Sequence, residues 1–204
     1  MKKFINYRTG LIALMIILAG FWRLAIATPS LTVLSNFTPV GAMALFGGYY
    51  YKSSWKGFVI PLVTLWVSDA LIDYFFYYHH FVWFYDGFYW TYGAFAFMVV
   101  LGIFMRRVSI KNVILAGVAA TFAHWIITDF GVWITHGLDI TTGKSYTYDF
   151  AGFMKCLYLA IPFEKPMLLG NLAFGGIMFG IFEWAQRKYP ALRLQISHTL
   201  HKAK

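Results

Sequence analysis

Apolar runs close to the roughly 20 residues needed to cross a bilayer follow one another along this chain as far as residue 185. They leave no room for a separate soluble domain, so residues 1–204 read as a single integral membrane domain. Composition agrees: 60% of the residues are hydrophobic and only 12% are charged, about half the charge of an ordinary soluble domain. The fold class expected is all-α, a polytopic membrane protein of six transmembrane helices. These fall near 9–27, 38–51, 57–77, 88–105, 112–135 and 166–185, with an amphipathic outer segment, 148–163, before the last.

Seventeen Lys and Arg against eight acids give a net charge of +9, but the bases lie in short clusters between apolar runs. They read as topology signals rather than a nucleic-acid surface. Lys2, Lys3 and Arg8, then Lys52 and Lys56, then Arg106, Arg107 and Lys111, then Arg187 to Lys204 fall at alternate ends of successive helices. By the positive-inside rule both termini are cytoplasmic. The start also has features of a signal peptide, ending in Ala25-Ile26-Ala27, but Phe21, Trp22 and Arg23 interrupt it, and the first helix is expected to be retained. A lone Cys156 excludes an internal disulfide and any cysteine-based zinc cluster.

With the helix directions set, the ionisable residues inside the apolar runs collect toward the outer side. Arg23 lies near the outer end of helix 1, Asp69 and Asp73 share one face of helix 3, and His124 and Asp129 lie on helix 5. Asn171 sits one turn into helix 6, and Asn36 and Thr38 precede helix 2. Glu183 alone is near the inner side, within reach of the interface or Arg187. A charge at membrane depth costs a few kcal/mol and faces a partner or a watery cavity. Two readings follow: a structural ion pair of Arg23 with Asp69 or Asp129, and a polar pocket open to the outside that includes it.

The stretch "SNFTPVGAMALFGGYY", residues 35–50, opens as a loop and continues as a helix too short to cross. From Pro39 to Tyr51 it covers only about 20 Å of a core about 30 Å thick, so it must begin inside the membrane depth. Thr38 or Asn36 is expected to cap it, with Pro39 in the first helical position. Irregular backbone at that depth is buried in protein or lines a water-filled cavity, and a helix N-terminus there offers free N–H donors to an anionic or polar ligand.

Two outer loops complete the reading. "FFYYHHFVWFYDGFYW", residues 75–90, suits an interfacial aromatic belt. His79, His80 and Trp83 within it can stack on a flat ligand, and the imidazoles can meet a metal. "TTGKS", residues 141–145, lacks the upstream glycine and strand of a phosphate loop and reads as a turn. The 148–163 segment can lie on the membrane surface or close over the pocket as a lid.

"NFTPVGAMALFGG", "PLVTLWVSD", "TDFGVW" and "LAIPFEKPMLLGN" make the chain resemble a family of bacterial six-helix membrane proteins of unknown function. That family in turn resembles the S-components of energy-coupling factor (ECF) vitamin transporters. The resemblance implies a bacterial inner-membrane protein that binds a small micronutrient near its outer face, at regions matching 28–38, 78–87 and 136–165 here. It also implies possible ECF transmembrane and ATPase subunits as partners, and no resident cofactor. The helix 1 Ala-x-x-x-Ala docking motif of S-components is missing; Ala116 and Ala120 have that spacing on helix 5.

The function expected is therefore binding and uptake of a vitamin such as cobalamin, or of a related cofactor precursor, possibly without the shared module. Its ligand-binding residues are Asn36, Thr38, Asp69, Asp73, His79, His80, Trp83, His124, Asp129 and Asn171. His79, His80 or Cys156 are the groups that can approach a corrinoid cobalt. The alternatives are an intramembrane enzyme with an Asp/His acid–base site and a proton-linked carrier using the same residues.

Overall fold

The computed structural model describes residues 7–27, 36–51 and 54–193. Expectations that rest on Lys2, Lys3, Lys52, Lys202 and Lys204, and on most of the loop after helix 1, lie outside the described residues. Six α-helices follow one another: α1 (Tyr7–Ile26), α2 (Val40–Tyr50), α3 (Lys56–Ile72), α4 (Phe88–Phe104), α5 (Ile110–Ile134) and α6 (Phe150–Lys188). A π-turn, Asp73–Tyr77, extends α3, and a 3-10 turn, Pro190–Leu192, follows α6. Four helices, α1, α3 with its π-turn, α5 and α6, are long and apolar enough to cross a membrane; α4 is apolar but shorter.

Helix α2 is the centre of the bundle. It has only 11 residues, about 16 Å of helix, and every one of them except Tyr49 is buried. A helix that is apolar all round has no solvent face and must be surrounded, and α2 touches each of the other five. Phe46 wedges among Tyr50, Phe179 and Phe182 with ring centroids 4.7 to 5.6 Å apart. Small residues let backbones meet elsewhere: a Cβ on Gly48 would stand 2.1 Å from the Val99 carbonyl oxygen, and one on Gly102 2.3 Å from that of Leu45. Gly47 makes room for Pro61 of α3 in the same way.

The ends of the chain are tied together where α1 starts and α6 ends. Arg8 is only 8% exposed. Its Nη1 donates to Gln186 Oε1 at 2.5 Å and to the Leu192 carbonyl at 2.8 Å, and its guanidinium lies over Tyr50 and Phe182. Glu183 meets neither the interface nor Arg187 as a partner; it accepts hydrogen bonds from the Tyr50 hydroxyl at 2.6 Å and from Gln186.

The expected sixth span and the amphipathic segment before it form one helix of 39 residues. Asp149 caps it by accepting from the Gly152 N–H at 2.7 Å. Pro162 and Pro166 each remove a ladder donor from its interior. The carbonyls that lose these donors are those of Tyr158 and Pro162; the neighbouring carbonyls of Leu157 and Phe163 accept from the Trp125 indole and from Asn36. The first half of α6 therefore runs along α5, with Phe153 against Phe130 and Trp133, and forms neither a separate surface helix nor a cover over the end of α1. Before it, Asp139 turns the chain at "TTGKS" by accepting from Thr141 and pairing with Lys155, which holds its carboxyl well below the usual range.

The outward faces of the bundle are apolar, through residues such as Leu18, Val63, Ile114, Phe122 and Ile177, and they suit a bilayer. The GxxxG pair, Gly176 and Gly180, is on that outer surface, where an added Cβ meets nothing within 4 Å. Ala116 and Ala120 are instead buried. Replacing Gly48 or Gly102 by alanine is expected to destabilise the protein by about 1–3 kcal/mol. Gly176→Ala should be near neutral, as read by thermal unfolding in detergent.

Candidate functional site

Residues 36–39, just before the short α2, lie within the bundle. This strip reaches the level of Gly170, where a Cβ would stand 2.7 Å from the Thr38 carbonyl. No side chain caps α2. Its N-cap is Pro39, at φ −79° and ψ 3°, and Val40 is its first helical residue. Asn36 is committed elsewhere, its Nδ2 donating to the Phe163 carbonyl at 3.1 Å. The expected capping by Asn36 or Thr38 is thus replaced by a tie between this strip and α6.

Above the strip lies a cavity of about 300 Å³ between the far ends of α1 and α3. Arg23, Asn36, Thr38, Asp69 and Asp73 all line it, joined by Tyr85 from the connection before α4. Arg23 Nη1 donates to Asp69 Oδ1 at 2.6 Å and to Ser68 Oγ at 2.6 Å. The other Asp69 oxygen accepts from the Tyr92 hydroxyl at 2.9 Å, so α1, α3 and α4 are joined through one carboxylate. Asp73, one turn on, shares the cavity, and its carboxylate has no hydrogen bond or ion pair among the described residues. Its backbone carbonyl accepts from Tyr78 N–H across the π-turn. Such turns widen a helix locally and recur at functional sites.

His124, Asp129 and Asn171 stand apart from this cavity, between α5 and α6. His124 Nδ1 is 3.2 Å from Glu164 Oε1, and the other Glu164 oxygen is buried without a partner. Asn171, 1% exposed, donates to Thr121 Oγ1 at 2.9 Å, and its own oxygen packs against Gly41. Asp129 is neighboured by Cys156, whose sulfur is 3.5 Å from its carbonyl and 3.8 Å from its carboxylate. Arg23 therefore pairs with Asp69 and not with Asp129. Glu164 was not among the sequence candidates because it falls in the stretch between two expected elements. A carboxylate flanked by Pro162 and Pro166 in an apolar run was its available signal.

His79, His80 and Trp83 belong to a third place, after the π-turn. Both imidazoles are exposed, His79 in a left-handed conformation at φ 56° and His80 on the Tyr78 carbonyl. Trp83 stacks between Trp66 and Phe81, and Phe81 in turn on Tyr74, giving a column of four rings. Cys156 is buried between α5 and α6, so a different pair of elements holds it. Among the described residues no group of three or more His, Cys, Asp or Glu is arranged to hold a metal ion.

Residues 3–192 match the model of DUF6580, a family of unknown function. The chain belongs to that family. No curated protein and no solved structure matches it. In this DUF6580 chain the polar residues are thus assigned by geometry alone, and the first question is what the Arg23–Asp69 pair contributes. Removing one member of a largely buried pair leaves an unpaired charge, which costs about 3–5 kcal/mol. Asp69→Leu is expected to destabilise by about 3 kcal/mol, and Arg23→Met with Asp69→Leu by much less. A double-mutant cycle on thermal unfolding reads the difference.

Proposed function

We propose that the chain is a membrane-embedded binding protein for uptake of a small micronutrient, built like an ECF S-component. The observation that carries this reading is the cavity of about 300 Å³ whose wall holds Arg23, Asp69 and Asp73 together in a largely apolar bundle. Charges at such depth are costly and belong where they meet a solute or water. In this reading all six helices lie in a bacterial inner membrane, α2 as a half-span, and the basic clusters hold both termini in the cytoplasm. The cavity then opens outward, toward a solute arriving from the periplasmic side. Asn36 and Thr38 form its floor, and Asp69 and Asp73 its charged wall.

This chain carries no ATP-binding motif, so net uptake needs partner subunits, ECF transmembrane and ATPase subunits among them, or an ion gradient. Ala116 and Ala120 are buried, but Ala119 and Ala123 have the same spacing on α5 and stand exposed and half-buried, so that face of α5 is where a docking partner would be sought. A second reading, a proton-linked carrier, draws its support from the His124–Glu164 pair between α5 and α6.

The test is purification in a mild nonionic detergent, followed by native mass spectrometry and absorbance. A stoichiometric vitamin or cofactor precursor is expected, lost by at least about tenfold in affinity on Asp69→Asn. A folded protein that emerges empty and binds nothing from a vitamin panel sinks the uptake reading.

A further inference from the structure

Two cavities meet at Tyr85. One is the chamber of Arg23, Asp69 and Asp73; the other, about 580 Å³, lies between the start of α4 and the end of α5. Tyr85 lines both. Thr91 lines the larger one. Asp86, Trp90, Thr128 and Gly131 form other parts of that larger wall, which contains no basic side chain. Trp90 packs against Gly131 so closely that a Cβ there would stand 2.3 Å from the indole, whose N–H finds no acceptor.

The charges of the smaller chamber decide the sign of what it takes. Arg23 is matched by Asp69, whose two oxygens are both engaged, by Arg23 and by Tyr92. Among the described residues Asp73 has no hydrogen bond or ion pair, and it shares the chamber with Tyr77 and Tyr85. A carboxylate without a partner next to aromatic rings favours a cation, through charge and through the negative faces of the rings. Arg23 also acts on Asp73, and its Nε has no hydrogen-bond partner among the described residues, but the wall holds two carboxylates to one guanidinium, so its net charge favours a cation over an anion.

We infer that the two chambers form one bipartite site for an organic cation, its charged nitrogen beside Asp73 and its ring body in the Trp90–Thr128 chamber, with Tyr85 between them. The inference rests on the uptake reading and narrows its substrate class. Chambers of this size suit a compact cofactor precursor rather than a corrinoid.

The experiment uses the full chain in nonionic detergent with four probes: tetramethylammonium, benzyltrimethylammonium, its neutral carbon isostere neopentylbenzene, and phenylacetate. Tryptophan fluorescence and calorimetry give the dissociation constants. Benzyltrimethylammonium is expected to bind at least about tenfold more tightly than tetramethylammonium, because its ring gains apolar burial, and more tightly than the neutral or anionic probe. Asp73→Asn should weaken both cations by about tenfold. Asp73→Ser serves as a second variant, and unfolding midpoints show that each is folded. Thr128→Phe, which fills the larger chamber, should weaken benzyltrimethylammonium more than tetramethylammonium.

Cation binding that ignores both Asp73 variants overturns the inference, as does phenylacetate binding as tightly as benzyltrimethylammonium. Failure of either cation to bind at millimolar concentration does the same. An anionic vitamin found co-purified would leave the uptake reading standing and overturn only the cation. An empty protein that binds no vitamin counts against uptake itself, a result separate from the probe series.

Discussion

The burial of α2 on every side sets the arrangement of the other helices. Its 11 residues present no polar face, so five neighbours must close around it, and the contact distances at Gly48 and Gly102 bring α2 and α4 together backbone to backbone. Close packing of this kind uses van der Waals contact rather than release of water, which is what remains to hold helices together among lipid tails. The aromatic wedge of Phe46 against α6 then fixes the rotation of the central helix. Arg8, reaching Gln186 and the Leu192 carbonyl, closes the same end with hydrogen bonds.

A central helix that stops short leaves space at its other end. The strip from Asn36 to Pro39 enters the bundle there, and its backbone is accommodated because Gly170 lets α6 approach and Asn36 bonds to the Phe163 carbonyl. Polar groups from α1, α3 and α4 converge above it, with Asp69 as their common acceptor and Asp73 unpaired beside it. The length of one apolar helix thus governs where charged side chains can stand at depth. Farther along, α5 and α6 extend past this level and carry a separate buried pair, His124 with Glu164.

Most of the helical plan was legible in the sequence. Runs of apolar residues broken by basic clusters gave the six helices, and the spacing of "NFTPVGAMALFGGYY" gave a second helix that begins late. Arg23, Asp69 and Asp73 were legible as a group because each is a rare charge in an apolar run near the same end. What was not legible depended on contacts between distant residues. Pro162 and Pro166 read as an interruption, yet α6 is continuous through both, and the neighbouring Leu157 and Phe163 carbonyls accept side-chain donors from distant parts of the chain. Similarly, Asn36 looked like a cap because it precedes a helix, but its partner lies 127 residues away. Depth along the helix also grouped His124, Asp129 and Asn171 with the Arg23 residues. Rotation about the helix axes separates them, and depth alone carries no information about rotation.

The central position of α2 has a consequence for the order of events during synthesis. Phe46 of the second helix completes its packing only against Phe179 and Phe182 of the last. A ribosome adding about 5–20 residues per second delivers those partners roughly 7 to 27 seconds after Phe46 itself has been made. During that interval the most deeply buried helix of the bundle has its α6 side open to lipid, to α1 or to whatever insertion machinery holds it. The short helix is therefore among the first made and the last enclosed, and assembly of the interior is a closing step of biosynthesis rather than an opening one.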